Sequence, residues 1–176
     1  MVFITPGLPI KSSYDAVIRR NFVTSNNTPN FAIPGSLVAG IPSGTGVLVM
    51  SGDRVVIEDN IITGNNTGGI IVTSGDFVTE VASDRDSDPH SDNVEIRNNV
   101  MFDNGNDPDG EMKLLMLSKF STKGPDILAY QSAADKARGS CISRREAYRS
   151  YGLEEWADCD APTVRAADAV ATADDI

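Results

Sequence analysis

The stretch "DRVVIEDNIITGNNTGGIIV", Asp53 to Val72, reads as three short apolar runs, each cut off by Asn or Gly. A hairpin needs one tight turn, yet this stretch has a break every four or five residues. Its neighbours explain why. "YDAVIRRN" (Tyr14 to Asn21), "DRVVIEDN" (Asp53 to Asn60) and "DNVEIRNN" (Asp92 to Asn99) align with Ile18, Ile57 and Ile96 spaced 39 residues apart. Asn21, Asn60 and Asn99 keep the same spacing, as do Asn26, Asn65 and Asn104. A third piece, "GTGVLVMSG" against "TGGIIVTSG", repeats at only 23 residues. The two repeats therefore carry their extra residues in different places. One inserts "PNFAIPGSLVAGIPS" before this piece, and the other inserts "DFVTEVASDRDSDPHS" after it.

Removing the insertions leaves a unit of about 20 residues with three strands and polar corners, which is the pattern of a solenoid. The spacing predicts an all-β, parallel β-helix (a β-solenoid) whose coils stack about 4.8 Å apart. Inward Val and Ile would fill a narrow interior, in keeping with 40% hydrophobic but only 6% aromatic residues. Asn suits the corners for two reasons. It tolerates left-handed backbone, and its amide can bond its equivalent one coil away. An asparagine ladder is expected at Asn21, Asn60 and Asn99.

These residues, with "NNTPNF" (Asn26 to Phe31), "IPSGTGVLVMSGDRVVIEDN" (Ile41 to Asn60), "DPDGEMKLLML" (Asp107 to Leu117), "GPDILAY" (Gly124 to Tyr130), "CISR" (Cys141 to Arg144) and "DCDAP" (Asp158 to Pro162), resemble a family of bacterial right-handed parallel β-helix repeat proteins. The resemblance covers roughly the first 162 residues. It implies an exported protein, extracellular or periplasmic, with further coils upstream. "MVFITPGLPIKSS" lacks the features of a signal peptide and resembles the last strand of a preceding coil with its loop. The expectation is the C-terminal portion of a longer β-helix, truncated on its N-terminal side. The expected division is coils over 1–110, a helical or irregular cap over 111–165 and a disordered tail over 166–176. "GEMKLLMLSKF" (Gly110 to Phe120), capped by Asp107 or Asp109, would cover the open end of the core. A Met-rich binding groove is its other possible use. "SAADKAR" and "RREAYRSYGLEEWAD" read as short helices, with Tyr148, Tyr151 and Trp156 packing on the solenoid wall.

A net charge of −10 speaks against nucleic acid. No apolar run is long enough to span a membrane. Cys141 and Cys159 form no metal-type motif, and a disulfide is the favoured reading. The densest polar chemistry lies in "SDRDSDPHSDNVE" (Ser83 to Glu95). Asp84, Asp86, Asp88 and Asp92, with Glu95, follow EF-hand spacing, but Pro89 replaces the required Gly and Glu95 opens a strand. A looser calcium site is the metal expectation. "DPH" is similar to part of the motif of mannuronan C5-epimerases, also β-helices. His90 would be the base and Arg97 the neutraliser of the uronate. The lead-in of that motif is missing. An exposed ladder of Arg19, Glu58 and Arg97 is also expected. The preferred reading is a polysaccharide-binding solenoid without a catalytic site. The alternatives are a uronan epimerase or lyase-like enzyme using His90, and a structural cell-envelope module.

Overall fold

The computed structural model describes residues 2–3, 13–77, 86–131 and 138–161. Strands of two to six residues wind in parallel coils. The first coil holds β1 (Val2–Phe3), β2 (Ser13–Tyr14), β3 (Val17–Arg19) and β4 (Phe22–Thr24). The second holds β5 (Thr45–Met50), β6 (Gly52–Asp53), β7 (Val56–Glu58) and β8 (Ile61–Thr63). The third holds β9 (Gly68–Thr73), β10 (Glu95–Arg97) and β11 (Val100–Phe102). Helix α1 (Gly110–Ser118) leads to β12 (Ile127–Tyr130) and β13 (Cys141–Ile142), and a last coil adds β14 (Ser150–Tyr151) and β15 (Ala157–Asp158). Equivalent strands stack into sheets β1-β5-β9-β12-β14, β2-β6, β3-β7-β10-β13-β15 and β4-β8-β11.

Register follows the repeat. Ile18, Ile57 and Ile96 are aligned across three coils, and Thr45 faces Gly68 at the shorter offset. Inside the coils Val49, Ile57, Ile62, Ile70, Ile96 and Ile127 are fully buried. Each fully buried side chain of this kind is worth about 1.5–3 kcal/mol. Asn21 donates its backbone N–H and its Nδ2 to Asn60 Oδ1, both at 3.0 Å, and Asn60 does the same to Asn99 Oδ1 at 3.0 and 2.9 Å. A second ladder joins Asn26, Asn65 and Asn104. The left-handed backbone, however, falls one residue earlier, at Arg20, Asp59 and Asn98, with φ of 55°, 55° and 50°. The ladder Asn opens the next strand, so it contributes its amide while its predecessor makes the turn.

Three expectations are corrected. First, α1 does not close the end of the core. Asp109 caps it, accepting from the Gly110 N–H at 2.8 Å, and it lies on the outer face of the first sheet. There Met112 and Met116 bury against Leu48, Met50, Ile71 and Leu128. Among the described residues, the C-terminal part of the solenoid core is completed by Leu153 and Trp156, with Tyr148 packed against it. Second, the described part of 111–165 is mostly further solenoid. Strands β12 to β15 extend two sheets, and the expected helix at "RREAYR" is one short 3-10 turn, Arg145–Ala147. Strands of two residues carry no alternation, so helix-forming residues dominated the pattern. Most of "SAADKAR" and the expected tail over 166–176 lie outside the described residues. Third, Glu58 does align with Arg19 and Arg97, but the Arg97 guanidinium pairs with Glu95 on its own strand at 2.7 Å. Residues two apart share a face of a strand. The ion pairs that do join coils sit at another corner, Arg54 with Asp15 and Arg138 with Asp92.

Cys141 and Cys159 are bonded. One lies on β13 and the other follows β15, so the bond closes the last coil into a ring.

Two predictions follow from this architecture. Asn60→Ala removes the middle rung, so the Asn21 backbone N–H loses its acceptor and the Asn99 side-chain oxygen loses its Nδ2 donor. Urea unfolding should show a loss of about 2–4 kcal/mol, against under about 0.5 kcal/mol for Asn66→Ala, whose side chain makes no such contact. Reduction of the disulfide removes about 3 kcal/mol of loop-closure constraint. Amides of residues 141–159 should then exchange about 100-fold faster, while those of β5 and β9 stay protected. Unchanged exchange in the last coil would show that the bond holds nothing in place.

Candidate functional site

β5 and β9 are the longest strands, with six residues each. Alternation turns Val47 and Val49 inward and Leu48 and Met50 outward. Parallel register then lines up Leu48, Ile71 and Leu128 across three coils, and Met50, Thr73 and Tyr130 beside them. This outer face is apolar where a solvated sheet would be polar. Two insertions cover part of it, α1 on one side and the Gly40–Pro42 segment on the other. Between them runs an open groove of about 540 Å³. Its floor is Leu48, Ile71 and Leu128. Its walls are Ile41 with Pro42, and Met112 with Leu115. Thr45, Thr73, Ser74, Tyr130 and Glu111 supply the polar rim. The volume falls in the ~300–1,000 Å³ range usual for small-ligand sites.

The described part of the acidic insertion, from Asp86 onward, meets the groove at Ser74. Pro89 O accepts from Ser51 Oγ at 2.9 Å and Ser74 Oγ at 3.0 Å, which ties the insertion to the ends of β5 and β9. His90 Nδ1 is buried without a hydrogen bond, 3.8 Å from Asp76 Oδ2. His90 does not line the groove. Arg97 is on the third sheet, paired with Glu95. The structure does not bring His90 and Arg97 to one point.

Of the four aspartates expected to hold calcium, Asp84 lies outside the described residues. Asp86 is exposed and stands outside the carboxylate cluster. Asp88 and Asp92 do come together, and Asp53 joins them. Each offers one carboxylate oxygen within 4.8 Å of the others. Asp53 was legible all along, since Asp53 and Asp92 open equivalent repeats 39 residues apart. Burial, then the charges of Asp88 and Asp92, push the Asp53 carboxyl above its ordinary value, against the pull of the Asp92 N–H that it accepts. The donor set suits a hard cation, but both Asp92 oxygens already bond the Arg138 guanidinium. Arg138 thus supplies the countercharge that an ion would bring.

Because its folded value is raised, Asp53 costs stability at neutral pH, and the cost fades as pH falls below the ordinary carboxylate range. Asp53→Asn keeps the oxygen that accepts the Asp92 N–H. It should raise Tm at pH 7, by up to about 1 kcal/mol of stability, and match the parent near pH 3. If the corner binds calcium, millimolar calcium should raise the Tm of the parent and not that of Asp53→Asn.

Residues 4–86 match the family model described as "Right handed beta helix region". Comparison with curated proteins and with solved structures finds no match. No described helix is long and apolar enough to cross a membrane. The matched region runs from β2 to β9, and the same parallel stacking continues to β15: the described residues fold as a parallel β-helix whose matched part is of the right-handed kind.

Proposed function

We propose that this β-helix binds a polysaccharide in the groove over its first sheet, and that it binds without catalysing. The observation that carries the proposal is the groove itself, open along the sheet, with an apolar floor and a hydroxyl- and carboxylate-bearing rim. A sugar ring has an apolar C–H face and a hydroxylated edge, and this arrangement complements both. Tyr130, 46% exposed, offers a ring for stacking. A uronan epimerase or lyase would need a base and a charge neutraliser at one substrate atom. His90 stands in the acidic insertion beside Asp76, and Arg97 pairs with Glu95 on β10, which favours binding over chemistry. The Cys141–Cys159 bond supports export, because such bonds persist in oxidising compartments.

A glycan array followed by calorimetry tests this. Tyr130→Ala should weaken the retained glycan about 3–10-fold, as expected for a lost stacking contact. His90→Ala, and Tyr14→Ala on the second sheet, should leave affinity unchanged. Loss of binding in Tyr14→Ala with none in Tyr130→Ala would move the site away from the groove. Silence toward all glycans would favour the structural cell-envelope role.

A further inference from the structure

Resting on the glycan reading, we propose that the groove selects uncharged glycans carrying apolar substituents, such as O-acetyl groups or methyl esters, and rejects free uronates. The rim is weighted toward hydrogen-bond acceptors. Thr45 Oγ1 donates to Pro42 O at 3.0 Å, and Ser74 Oγ donates to Pro89 O at 3.0 Å. Of the polar rim side chains, Thr45 and Ser74 thus spend their protons on backbone carbonyls and face a ligand as acceptors. Glu111 is a carboxylate and adds another acceptor. It is the one charged residue among the described lining, where no Lys, Arg or His appears. A sugar hydroxyl brings donors and satisfies such a rim. A uronate carboxylate brings only acceptors and a second negative charge.

The floor sharpens the choice. Leu48, Ile71 and Leu128 have no polar side-chain atom, so a bare hydroxyl pressed on them would lose its water partners without replacement. A carboxylate would lose far more. An acetyl or ester methyl there removes apolar surface from water instead. The Met112 wall adapts to such a group, since its thioether chain is unbranched and polarisable. The chain as a whole carries −10, so its field also opposes the approach of a polyanion.

Two probes with matched backbones separate charge from sugar identity. Calorimetry on the full chain would compare methyl-esterified with de-esterified homogalacturonan, and O-acetylated with deacetylated xylan. The substituted form of each pair should bind at least about 10-fold more tightly, the factor that 1.4 kcal/mol represents. Glu111→Gln should narrow the homogalacturonan gap and leave the xylan gap unchanged. Equal or tighter binding of the de-esterified polymer would overturn the selectivity while leaving glycan binding intact. Binding to neither polymer in any form, alongside a silent glycan array, would overturn the glycan reading and this inference with it.

Discussion

The fold depends on the asparagine amides that join the first three coils to one another. Strands of three residues bring too few backbone hydrogen bonds to specify their own register. A slip of one residue would turn Ile57 and Ile96 outward and drive charged neighbours into the core. Asn60 and Asn65 prevent that slip because each both donates to the next coil and accepts from the previous one. Buried amides of this kind tolerate no half-satisfied state, so the two ladders act as pegs that align every sheet at once.

With register held by the corners, the insertions are free to differ between coils. That freedom shapes the surface. The first sheet has the longest strands and an apolar outer face, and two insertions cover it unequally. Met112 and Met116 bury one part. What remains between α1 and the Gly40–Pro42 segment is the groove. Its chemistry is a by-product of how its walls are tied down, because the rim hydroxyls that anchor the backbone have no proton left for a ligand.

The acidic corner shows the same economy. Asp53 and Asp92 stack because they occupy equivalent repeat positions, and Asp88 is brought in by the insertion that Pro89 tethers. Arg138, one coil further on, neutralises Asp92. His90 sits at the edge of this structure, oriented by Asp88, which accepts its backbone N–H at 3.0 Å. The "DPH" motif thus stands beside this corner, with Asp88 in the carboxylate cluster and His90 near Asp76.

The sequence alone determined the solenoid, its register and the first ladder, because all three are periodic and a period survives in one dimension. It carried Asp53 too, as the residue that occupies the position of Asp92 one repeat earlier. It left the disulfide open, since spacing does not say whether two thiols meet. Tertiary structure alone decided where α1 goes. A stripe of Met112 and Met116 says that a helix must bury a face, not which surface receives it, and the apolar row Leu48, Ile71, Leu128 exists only after three coils are stacked. Strands β13 to β15 are hidden for a related reason: a two-residue strand has no alternation of its own and gains its identity solely from the strand it is laid against.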